Sequence, residues 1–378
     1  MKKIITFLIF VIISISTSYS AEAITPLKPC SKKSLNQLKN NSICKKIDSV
    51  YRWIPLEIKE TKPVDVPKTT LDVSKTNTNF LNIRNNARTE LAKKIVTNTN
   101  ESFNSKYLIA PTVQDFIVKE LKKRIDISYV YWKDTFVPTN ANIVIWDTDS
   151  KQWADTTYEE LKGGLWNKGH RLSDTAQDAY TCNNAFSSNF MINNVPKYII
   201  VSCDNNMYLN MSKFKMAHEY THWVQDGLGL IQDNSPIWLI EGSAHFYGQS
   251  IGFNNSQELF DQNRKNLISS YDYNKNRKFN SILSFINTSK NEEFVSYMET
   301  LEKRHSTDYD LQASYLIGSV ATEYLIGKYG EAKLLLFWKE YKVSSNTNNN
   351  LKKVYGISSE EFYINLKEYA KYHLGEIK

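Results

Sequence analysis

The sequence predicts an α+β protein with a small sheet and a largely helical second half. Three observations carry this. A helical apolar stripe starts after Pro111, short strand-like runs follow, and from Ser212 to the end the pattern is almost entirely helical. Composition agrees: of 378 residues, 41% are hydrophobic and 23% charged, which suits a folded chain with a sizeable core. Gly (13) and Pro (9) are scarce, excluding collagen-like and Pro/Gly linker proteins. The net charge of +7 is mild and dispersed, so nucleic-acid binding is not expected.

Residues 1–23 have the layout of a secretory signal peptide. Lys2 and Lys3 precede an apolar run, Ile4 to Ile13, broken only by Thr6, and small-x-small sites follow at Ser18–Ser20 and Ala21–Ala23. The run is short for a membrane span. The expectation is export to the periplasm or beyond, with no stable span after cleavage; an uncleaved anchor is the alternative. Export makes the four cysteines an even set in an oxidising compartment. Three pairings are open, and proximity in the chain favours Cys30–Cys44 and Cys182–Cys203.

Residues 24–104 are polar, with Pro55, Pro63 and Pro67. They read as a small disulfide-tied segment, a linker and one helix near 79–96. Thr112 and Asp115 have capping-box spacing, and Val113, Phe116, Ile117, Leu121 and Ile125 form a helical stripe. Its basic residues Lys119, Lys122, Lys123 and Arg124 read as the wet face of that helix. Strands are expected at Ile127–Trp132, Asn142–Asp147 and Lys197–Cys203. The Gly-rich run 163–170 lacks a Gly-Lys-Ser/Thr ending, so it reads as a surface loop and not a phosphate cradle.

The segment that carries chemistry is Met216-Ala217-His218-Glu219-Tyr220-Thr221-His222-Trp223-Val224, with Ser212 as expected N-cap and Gly227 as stop. On a helix, His218 and His222 are i and i+4 and project from one face. That spacing suits one Zn²⁺, with Glu219 beside the first ligand as general base. A third ligand is expected at Glu241. Ser235 and Pro236 read as N-cap and first helical position of a second helix, and Glu241 stands there among apolar residues where a lone carboxylate needs a partner. Two imidazoles and one carboxylate leave a coordination position open, the catalytic arrangement.

The pattern His-Glu-x-x-His, eighteen residues, then Glu-Gly resembles the gluzincin metallopeptidases, in particular the peptidase MA-like, aminopeptidase-type group. Ile237-Trp238-Leu239-Ile240-Glu241-Gly242-Ser243-Ala244 is similar to that group's Trp-Leu-x-Glu-Gly-x-Ala segment. His-Glu-Tyr-Thr-His also has local similarity to bacterial collagenases. Tyr315 to Gly318 resembles the family's Tyr-x-x-Gly helix, and Tyr355–Phe362 a common closing helix. The resemblance implies a zincin-like catalytic subdomain at 105–260 with a small sheet and zinc-binding helices, then a helical C-terminal subdomain at 261–378. It implies zinc on His218, His222 and Glu241, Glu219 as base, and Tyr315 as a donor to the oxyanion. The substrate it implies is a peptide or protein. The aminopeptidase motif Gly-x-Met-Glu-Asn is absent, so the expected activity is an endopeptidase. The alternative is a zinc-stabilised envelope binding or maturation protein without turnover. Asp204 and Asp226 are positional candidates for orienting a ligand His. His305 is a second candidate donor, and His245 is expected to be a hydrogen-bonded helix residue.

Overall fold

The computed structural model describes residues 38–39, 42–47, 50–55, 73–162, 182, 185–192, 195–204, 209–231, 234–273, 278–303 and 308–375. The expected signal segment 1–23, the Cys30–Cys44 bridge, the Gly-rich run 163–170 and His305 lie outside them. The chain divides into two units, Met1–Thr70 and Leu71–Lys378. In the first, β1 (Leu38–Lys39), β2 (Ser42–Ile47) and β3 (Val50–Pro55) form an antiparallel sheet in that order.

The second unit is mixed α and β. The helix expected near 79–96 runs Val73–Ala92 (α1). A strand that the sequence pattern does not signal follows, β4 (Lys106–Ile109). The stripe after Pro111 forms α2 (Asp115–Trp132), but without the expected capping box. Thr112 Oγ1 instead donates to Asp147 Oδ1 (2.6 Å), and Phe116 faces solvent. The strand expected at Ile127–Trp132 is wrong. Those residues continue α2, because Ile125, Ser128, Tyr131 and Trp132 share a buried helical face. Their β-branched and aromatic character made a helix end look like a strand. The other two expected strands form as β5 (Ala141–Trp146) and, after α3 (Lys151–Lys162) and β6 (Ala185–Ile192), as β7 (Val195–Cys203).

The sheet order is β4-β5-β7-β6. β4, β5 and β7 are parallel, and β6 runs antiparallel to β7 at the edge. All six residues of β5 are buried, as a central parallel strand requires. Cys182 and Cys203 form the expected disulfide, tying the end of β7 to the chain before β6.

The remainder is helical. It comprises α4 (Leu209–Leu228), α5 (Ile237–Gly252), α6 (Gln257–Tyr273), α7 (Ile282–Thr288), α8 (Asn291–Thr300), α9 (Asp308–Tyr329), α10 (Glu331–Glu340), α11 (Thr347–Tyr355) and α12 (Ser359–Gly375). Ser212 lies inside α4 and is not its cap, and the chain turns at Gly229 (φ 102°), not at Gly227. On α5 the N-cap position is Pro236, one residue later than expected, and no side chain caps it. Every residue of α5 from Trp238 to Gly252 is buried, so it is the central helix, packed between α4 and α9. Gly242 of α5 and Gly318 of α9 face each other at the crossing. A Cβ on either would collide with the other helix's main chain. That crossing also joins residues on the two sides of position 260, within the single unit Leu71–Lys378.

Candidate metal centre

Helix α4 presents His218 and His222 one turn apart, with imidazole rings 4.7 Å between centroids. Helix α5 brings Glu241 to them. His222 Nε2 is 3.0 Å from His218 Nε2 and 3.4 Å from Glu241 Oε2, and His218 Nε2 is 3.6 Å from that oxygen. The three donors are the group among the described residues able to hold a metal ion. A tetrahedral centre with the bond lengths usual for zinc separates its ligands by about 3.3–3.4 Å. The observed triangle fits that size. It fits the chemistry too, since two ring nitrogens and a carboxylate oxygen offer a metal ion three donor atoms at one point. Without a metal, a proton joins the two ring nitrogens. Burial opposes charge on His222, but the Glu241 carboxylate outweighs it and raises His222 to about 9. The same imidazoles hold Glu241 well below the usual carboxylate range despite its burial.

The packing behind these three side chains is specific. Gln225 lies one turn beyond His222 on α4. Its amide nitrogen donates to Ile240 O and Ser243 Oγ, both at 2.8 Å, across to α5. With both N–H groups committed, Oε1 must be the acceptor facing His222 Nδ1 at 2.8 Å. His222 therefore carries its proton on Nδ1 and keeps the Nε2 lone pair for a metal. Neither acid expected for such a role has it. Asp204 pairs with Lys215 (3.0 Å) at the start of α4, and Asp226 bonds Asn189 and Tyr198. Sequence reasoning missed Gln225 by looking only for acids; the signal was its i+3 position from His222. His218 Nδ1 is buried with no protein partner. His218 is held by packing instead, with Gly248 of α5 so close that a Cβ there would lie 2.9 Å from the His218 Cβ.

Glu219 is buried and lines a cavity of about 100 Å³ together with His218, His222, Glu241, Tyr315 and residues 185–187 of β6. Tyr315 of α9 sits with its ring 5.8 Å from that of His218. Burial, then the charges of Glu241 and Glu219, push its phenol well above the ordinary value, so it stays protonated. His245 is the expected hydrogen-bonded helix residue. Its Nε2 meets Asn263 Oδ1 at 2.8 Å, and burial and the neighbouring His218 push it down to about 3. Asn263 Oδ1 also accepts from Gln249, so His245 is the donor in this pair.

Next to the cavity, a groove of about 470 Å³ runs between β6 (Ser187, Ser188, Asn189) and α4 (His222, Trp223, Asp226) toward Leu230 and Ile231. β6 pairs with β7 on one side and, among the described residues, with no strand on the other. The chain matches no family model, no curated protein and no solved structure. No described helix is long and apolar enough to cross a membrane.

Proposed function

We propose that the protein is an exported zinc-dependent endopeptidase with a zincin-like domain of the gluzincin type. The observation that carries this reading is Glu219. It is a carboxylate outside the three-donor set, yet it lines the same small cavity. Metal retention alone does not require it there; hydrolysis does.

In this reading His218, His222 and Glu241 hold the metal, and Gln225 keeps the proton of His222 on Nδ1. Zinc so held supplies Lewis-acid polarisation of a carbonyl and a lowered pKa for water. Glu219 takes the proton of the attacking water and delivers it to the leaving nitrogen. Tyr315, protonated throughout the physiological range, donates its O–H to the oxygen on which charge develops. The edge of β6 that pairs with no strand among the described residues accepts an extended peptide by main-chain pairing, which lays a scissile bond along the cavity.

The test pairs elemental analysis with cleavage of a mixed peptide library, with and without chelator. Stoichiometric zinc and chelator-sensitive cleavage are expected. Glu219→Gln should keep the metal and lose about 10²- to 10⁴-fold in rate, while Glu241→Ala should lose metal affinity. A zinc-loaded wild type that cleaves nothing in the library would sink the peptidase reading in favour of a metal-stabilised binding or maturation protein. Full activity in Glu219→Gln would remove the assigned base.

A further inference from the structure

Away from the metal centre, α1, α6, α9 and α12 bring together Arg84, Arg88, Asp261, Arg264, Glu323 and His373. Arg84 Nη2 pairs with Asp261 Oδ1 at 2.7 Å, at a rim where Asp261 is 33% exposed. Deeper in, Arg264 Nη2 stands 3.2 Å from Glu323 Oε2, and both side chains are fully buried. The other Glu323 oxygen accepts from Tyr369 at 2.9 Å. Arg88 and Arg264 both lie against the Phe260 ring, with guanidinium carbons 4.4 and 5.8 Å from its centroid.

The charges do not balance. Three guanidiniums face two carboxylates, leaving one positive charge over. His373 does not alter this, because burial pushes it down to about 4 and it is neutral. Nor are all the donors satisfied: Nε and Nη1 of Arg264 and Nε and Nη2 of Arg88 are buried without a hydrogen-bond acceptor. A buried cation with open N–H groups is costly unless a counter-charge meets it. Water can accept from those groups but cannot cancel the charge.

We propose that this cluster is a structural site for one small monovalent anion of the halide kind, chloride in ordinary buffers, held by Arg88 and Arg264. One excess charge and donors closed to solvent select a small single-charged ion over phosphate or a carboxylate ligand. The anion completes the junction of α1 with α6, α9 and α12. Glu323 and Tyr315 lie on the same helix about 12 Å apart along its axis, so this site is separate from the metal centre.

The test uses the whole protein and needs neither metal nor turnover. Crystals grown in sodium bromide should show an anomalous peak within hydrogen-bonding reach of the Arg88 and Arg264 guanidiniums. In solution, the thermal midpoint should be higher in sodium chloride than in sodium gluconate at equal ionic strength, by roughly 2 °C or more. Arg88→Met should abolish that difference; if this variant fails to fold, the wild-type bromide map and the two-salt comparison still decide. No bromide at the cluster while surface bromides are seen, or equal midpoints in the two salts, overturns the proposal.

Discussion

Gln225 decides which nitrogen of His222 is left for a metal, because its amide is oriented by two acceptors on α5. Gln225→Leu should therefore weaken metal binding by about 10- to 100-fold with helix content unchanged. Gln225→Glu, which restores an acceptor, should recover part of it. Competition against a chromophoric chelator measures both; a leucine variant that binds like wild type would show that the tautomer is set elsewhere. A second single-residue effect belongs to His373. Its folded value, about 4, lies below its ordinary 6.5 because of burial and the nearby arginines. As pH falls, the unfolded chain therefore takes up the proton first. The stability this group confers is intact above about 6.5, declines as pH drops from there, and has been lost once pH passes below about 4. The loss is on the order of 3 kcal/mol. Urea unfolding at pH 7 and pH 4.5 should show a smaller difference for His373→Phe than for wild type.

At the scale of elements, the centre depends on how closely α5 approaches its neighbours. Gly242 and Gly318 let α5 and α9 cross with main chains in contact, which brings Tyr315 to Glu241. Gly242→Ala should cost about 1–3 kcal/mol by overpacking and should also weaken metal binding, since Glu241 is the adjacent residue. Gly375→Ala meets nothing within 4 Å and is the control. Calorimetry and a metal titration on both variants would show a fault in this account if Gly242→Ala behaved like the control. The disulfide acts on another element. Cys182–Cys203 closes a loop with a sequence separation of 21, for which chain entropy predicts about 3 kcal/mol. Reduction should lower the unfolding midpoint of the wild type and leave a Cys182→Ser/Cys203→Ser double variant unmoved.

For the whole molecule, a metal held by His218, His222 and Glu241 would tie α4 to α5 within the unit Leu71–Lys378. Because it binds the folded chain, chelation should lower the thermal midpoint by several degrees, and zinc addition should restore it. An unchanged midpoint would mean that the three donors hold no ion in solution. How far the sequence anticipates this molecule depends on the range of the interactions involved. His218, Glu219 and His222 are legible because one helical turn places them together, and helix periodicity is written locally. Glu241 is legible from its apolar surroundings, and Tyr315 from a family resemblance alone. Strands β5 and β7 announce themselves by continuous apolar runs. The end of α2 does not, because β-branched and aromatic residues suit a strand and a buried helix face equally, and only packing chooses between them. β4 and β6 are set by their partners in the sheet. By itself, then, the sequence determined the candidate ligands that lie within a turn or two of one another and the helices that carry them. Tertiary structure alone decided what lies beside those side chains, Gln225 oriented by α5 and a β6 edge that pairs with no strand among the described residues, and, away from them, the gathering of Arg84, Arg88 and Arg264 around Glu323. The physical reason is that burial and hydrogen bonding between distant segments leave no period in the chain.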